Sequence, residues 1–160
     1  MEQKFRYLLT FLIASVALMQ FVQVVTRYVF EVPIMGLEES MVIPTLWLYM
    51  LGAVNASRED TQIRANVLEI FIKTERGHQI LALISETISL VISSWLTYWA
   101  WDYVKYAWRA WKESPTLYIP TFYHECSVFI GLLLITLFIA MHVVKLIRQL
   151  MSPSYQVNKV

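Results

Sequence analysis

The apolar residues of the chain run in blocks bounded by charges, and the charges are sparse enough for the blocks to be measured directly. No Asp, Glu, Lys or Arg occurs between Arg6 and Arg27, between Glu39 and Arg58, or between Glu125 and Lys145. A hydrocarbon core about 30 Å thick takes about 20 helical residues to cross, and each gap is of that length. A fourth block, Gly77 to Trp101, is long enough and holds one charge, Glu86. The pattern predicts an all-α integral membrane protein: one domain over 1–160 with transmembrane helices at 6–28, 38–57, 77–101 and 121–148.

The segments between the blocks carry their own patterns. Pro33 and Gly36 break the chain after the first span, and Glu38-Glu39 opens the second, where acidic residues suit the positive end of the helix dipole. Pro44 sits one turn further in and removes one helical hydrogen bond. After Arg58, the apolar residues Ile63, Val67, Ile70 and Phe71 recur at helical spacing, which predicts a short amphipathic helix at 61–75. It lies either on the membrane surface or on protein. The third span is expected to continue as a helical extension over 102–113. There Tyr98, Trp99, Trp101, Tyr103, Tyr106, Trp108 and Trp111 form an aromatic belt suited to the headgroup level. Ser114-Pro115 stops it, and Pro120 is expected in the first turn of the last helix.

Composition agrees with a bilayer as solvent. The chain is 58% hydrophobic and 16% charged, against about 45–50% and about 25% in soluble domains. A net charge of +1 provides no field for nucleic acid. The single cysteine, Cys126, excludes an intrachain disulfide and a cysteine-built metal centre. The first block resembles a signal peptide in its Lys4 and Arg6 start, but its apolar run reaches Val25, beyond the usual core of about 7–15 residues, and is expected to be a span. Lys and Arg fall nine on the side of the two termini and the 58–76 loop, and four on the other. The positive-inside rule then places the termini and that loop in the cytoplasm.

Several residues are candidates for more than packing. Glu86 is an ionisable group inside a span, with Ser85, Ser89, Ser93 and Thr97 beside it at four-residue spacing. Such a stripe serves a subunit contact or, on the alternative, ion transport. Gln20, Gln23 and Arg27 share a face at the outer end of span one, so that Arg27 faces Glu38 and Glu39 as an ion pair or else reaches lipid phosphates. Gly52 with Ala56, Ala53 with Ser57, Ser127 with Gly131, and Thr136 with Ala140 are small residues four apart that permit close helix approach. His78 and His142 fall near one membrane face, the minimum for a bis-histidine haem, which gives an electron-transfer alternative. An independent dimeric exporter is a second alternative, although its membrane glutamate would be expected in the first span and Glu86 is in the third. No hydrolase, protease or nucleotide-binding motif occurs, so no enzyme and no cofactor are predicted.

The stretch from Arg27 to Glu69 resembles the small (DctQ-like) membrane subunit of tripartite ATP-independent periplasmic (TRAP) transporters. The resemblance rests on Arg27, Tyr28, Phe30, Pro33, Glu38, Glu39, Gly52, Ala53 and Arg58 in that order. The family's usual histidine and aspartate in the amphipathic stretch stand here as Gln62 and Asn66. The resemblance implies a non-catalytic subunit of the bacterial inner membrane that scaffolds a large twelve-helix subunit. That partner would take up a small organic anion by a sodium-driven elevator motion, and a periplasmic binding protein would deliver the substrate. On this view Ser85, Glu86, Ser89, Ser93, Thr97, Gly52, Ala56, Ser127 and Gly131 are candidates for the subunit interface. Lys105, Arg109 and Lys112, four and three residues apart on the outer side, are candidates for docking the binding protein; the alternative is contact with membrane lipids.

The orientation is open to direct test. Reporter fusions after Arg76 and after Val160 are expected to give cytoplasmic signals, and an external signal at either position would contradict the assignment.

Overall fold

A helix satisfies its own backbone hydrogen bonds, which is why unbroken apolar segments in hydrocarbon take this form. The computed structural model describes residues 2–32, 34–59 and 74–151, and these are all-helical apart from their connections. The elements are α1 (Glu2–Tyr28), α2 (Leu37–Glu59), α3 (Glu75–Ala110) and α4 (Phe122–Met151), each containing a stretch long and apolar enough to cross a membrane. The amphipathic segment expected at 61–75 lies almost wholly outside the described residues, as does Pro33. Pro44 is accommodated inside α2.

The principal contacts join α1 to α2, α2 to α4, and α4 to α3. Trp47 and Met50 of α2 meet Tyr123 and Gly131 of α4 in the same order, so these two helices run parallel. Thr97 meets Thr136 and Trp101 meets Phe129, so α3 and α4 are antiparallel.

α3 packs principally on α4, and several of the buried positions on the two helices are small. On α3 the buried positions are Glu86, Ser93, Ala100 and Ala107, at seven-residue intervals, with Leu90, Thr97 and Val104 half-buried beside them. A seven-residue repeat keeps one stripe of a helix against a neighbour that crosses at a shallow angle. On α4 the buried positions are Ser127, Gly131, Ile139 and Val143, separated by multiples of four. The Thr97 and Thr136 hydroxyls lie 2.9 Å apart across the seam, so that one donates to the other, and the accepting hydroxyl gives its own proton to the carbonyl four residues before it. Trp101 packs on Phe129 with ring centroids 5.2 Å apart.

The packing of α2 against α4 depends on Gly131. A Cβ there would stand 2.8 Å from both Cβ and Sδ of Met50. The first of these atoms is fixed to the backbone and cannot swing away. Ser127, one turn earlier, is fully buried and donates to the His124 carbonyl at 2.6 Å, so its hydroxyl is satisfied within its own helix.

The connection between α3 and α4 is a tight loop. Trp111 adopts a left-handed conformation (φ 38°) and its amide bonds the Ala107 carbonyl at 3.0 Å, which closes α3. The helical extension therefore ends at Ala110 and not at 113, and Lys112 lies beyond the cap. Glu113 and Pro120 face each other in an isolated antiparallel bridge, with the Ser114 amide on the Ile119 carbonyl and the Thr121 amide on the Lys112 carbonyl. Pro120 thus belongs to the bridge, two residues ahead of α4, and not to its first turn. The Thr121 carbonyl accepts from the amides of His124 and Glu125 and begins the helix.

These contacts separate two glycines. Gly131→Leu should destabilise the detergent-solubilised chain by about 1–3 kcal/mol, the usual cost of overpacking, seen as a lower thermal midpoint. Gly52→Leu should leave it nearly unchanged, because nothing lies within 4 Å of a Cβ at Gly52. Equal effects from the two would contradict the packing described.

Candidate functional site

The densest polar chemistry gathers where the end of α1, the start of α2 and the α3–α4 loop meet. Glu38 and Glu39 are adjacent in sequence, and neighbouring residues on a helix point about 100° apart. They consequently serve different partners. Glu38 faces α1: its Oε1 lies 3.6 Å from Arg27 Nη1 and accepts a 2.6 Å hydrogen bond from Gln23 Nε2. Both members of the ion pair are well exposed, at 58% and 67%, and exposed pairs contribute little by themselves. Gln20, also expected on this face, is exposed and takes no part in these bonds.

Glu39 faces the loop. Its carboxylate accepts from the Ser114 hydroxyl, from the Thr116 amide at 3.1 Å and 3.2 Å on its two oxygens, and from the Leu117 amide at 3.1 Å. Successive amides aimed at one carboxylate form an anion-holding turn. Gly36, with φ 86°, lets the chain pass under this loop: a Cβ there would lie 2.7 Å from the Leu117 side chain. Trp47 adds a further tie, its indole N–H donating to the Tyr123 carbonyl at 3.0 Å. A cleft of about 470 Å³ opens among Gln23, Arg27, Glu38, Glu39 and Thr116.

The other candidate residues are distributed differently. Glu86 and Ser93 are buried in the chain, each at 7% exposure, while Ser85 is exposed and Ser89 and Thr97 are half-buried. Ser127 and Gly131 are enclosed by the chain's own helices and offer no surface. Gly52 faces open space and Ala56 is half-buried. His78 and His142 are both half-buried. Among the described residues no group of three His, Cys, Asp or Glu side chains could hold a metal ion.

Near the C-terminal end of α3, Lys105 and Arg109 line a cleft of about 400 Å³ with Trp101, Trp108 and Phe122. Lys105 is held by Asp102 at 2.5 Å. Lys112 has left this face and lies 5.3 Å from the Tyr106 ring centroid. The three cations do not form one helical stripe, because the cap at Trp111 turns the chain between the second and the third.

The family model for the DctQ component of tripartite ATP-independent periplasmic transporters matches residues 16–149. That span includes Arg27, Glu38, Glu39, the α3–α4 loop and nearly all of α4. No curated protein matches the chain.

The division of labour between the two carboxylates has a measurable consequence. Glu39→Gln should speed hydrogen exchange at the Thr116 and Leu117 amides, whereas Glu38→Gln should leave those amides protected. Unchanged exchange in the Glu39 variant would mean that the loop is held by something else.

Proposed function

The chain belongs to the DctQ family, the small membrane component of TRAP transporters, and on that premise we propose that it is the non-catalytic scaffold of such a transporter. Its partner on this reading is a large twelve-helix, sodium-coupled subunit of the bacterial inner membrane. The cargo is a small organic anion brought by a periplasmic binding protein. Family membership favours this reading over a haem protein or an independent exporter.

The observation that carries the proposal is the position of α1. It packs principally on α2, and large side chains along its length, Phe11, Leu18 and Phe21 among them, are exposed. A long apolar face in a membrane is covered by lipid or by another helix, and membership of a multi-subunit transporter supplies the second. The exposed Ser85 and the open surface at Gly52 add small-residue positions that permit close approach by a partner. Both termini and the 58–76 loop lie in the cytoplasm on this reading, so the Glu39-held loop and the Lys105–Arg109 cleft face the periplasm, where the binding protein arrives.

Charge there chiefly raises the encounter rate and is screened over about 8 Å at physiological salt. Arg109 should matter more than Lys105, which Asp102 already engages, and more than Lys112, which faces elsewhere.

The affinity-tagged chain should co-purify with the large subunit, and alanine at Phe11, Leu18 and Phe21 should weaken that association while leaving membrane insertion intact. Charge reversal at Arg109 should slow uptake at low ionic strength, with the defect shrinking as salt is added. Normal uptake by cells lacking the chain would defeat the proposal.

A further inference from the structure

The end of α4 on the side of the chain's termini carries a feature unrelated to the outer polar cluster. Ile139 and Val143 are buried and mark the packed side of the helix. Leu137, Met141 and Val144 are exposed on the opposite side at spacings of four and three. Lys145 and Arg148 follow on that same side, and all five line one open, shallow groove that α4 forms by itself. The apolar floor from Leu137 to Val144 extends about 10 Å along the helix at 1.5 Å per residue. Neither cation forms an ion pair with a carboxylate among the described residues.

A ligand matching this groove has an anionic head for two cations at the membrane surface and an apolar tail that runs into the hydrocarbon. Lys145 and Arg148 also offset the negative end of the α4 dipole. That role alone would not require them to share a groove with a continuous apolar floor. Arginine's planar fork binds phosphate oxygens bidentately, and lysine adds a point charge.

We propose that the groove formed by Leu137, Met141, Val144, Lys145 and Arg148 is a binding site for an anionic glycerophospholipid of the leaflet facing the chain's termini. The phosphodiester sits between Lys145 and Arg148, and an acyl chain lies along Leu137, Met141 and Val144. A zwitterionic lipid offers the same phosphate, but its ammonium group meets two like charges.

Native mass spectrometry of the full-length chain in detergent tests this, with phosphatidylglycerol and phosphatidylethanolamine of identical acyl chains as probes. The first phosphatidylglycerol should bind roughly tenfold more tightly than the first phosphatidylethanolamine, as expected for two basic groups at an anionic headgroup. The double variant Lys145→Gln with Arg148→Gln should lose the preference. The exchange Lys145→Arg with Arg148→Lys should keep it, which separates loss of charge from misfolding. Met141→Trp should weaken binding of both lipids by crowding the tail. Wild-type protein with no preference, a glutamine double variant that retains it, or a Met141→Trp variant with unaltered binding would each overturn the proposal. So would displacement of phosphatidylglycerol by millimolar inorganic phosphate, which would identify a soluble-anion site instead.

Discussion

Water drives apolar surfaces together, but lipid wets an apolar helix about as well as another helix does, so a bundle in a membrane needs other reasons to hold. Here close approach to α4 is the interaction on which the arrangement depends. Gly131 lets Met50 of α2 come as near as a missing side chain permits. Ser93, Ala100 and Ala107 bring α3 against another side of α4. With α2 and α3 seated on α4, the α3–α4 loop comes over the start of α2, where Glu39 can reach its amides. Arg27 and Gln23 of α1 then meet Glu38, the neighbouring carboxylate. The helices set the position of the α3–α4 loop, and Glu39 holds it there.

The spans were legible because charge is so expensive in hydrocarbon that its absence over about 20 residues is itself a signal. The α3 seam was only half legible. The polar residues Ser85, Ser89, Ser93 and Thr97 stand out in sequence at four-residue spacing, yet the buried stripe runs through Glu86, Ser93, Ala100 and Ala107 at seven. Alanine has no polarity to mark it, and the interval is set by how α3 leans on α4. Glu39 was expected beside Arg27, and its actual partners were not legible: its three donors are two backbone amides and a turn hydroxyl more than 70 residues away, and no side-chain pattern announces them. Lys112 fell off its expected face because one left-handed residue, Trp111, cannot be read from helical spacing.

Placement within the bundle also divides the small residues into two groups. Ser127 and Gly131 are used up inside the chain, while Gly52 and Ser85 face outward. On the proposed reading, this chain is the part that stays still while a larger neighbour moves against its long apolar surfaces. On the proposed reading the outer polar cluster keeps the periplasmic face of that part in a fixed shape.

The direct measurement is a pair of spin labels within this chain, with Cys126 replaced by serine and cysteines placed at the exposed positions Val29 and Tyr118, on either side of the outer cluster. Distances would be recorded by pulsed electron resonance in the assembled transporter, with and without sodium and substrate. A stationary scaffold predicts the same distance distribution in every condition. A shift on the order of 5 Å, the size of a one-turn slip between packed helices, would show that this chain takes part in the motion.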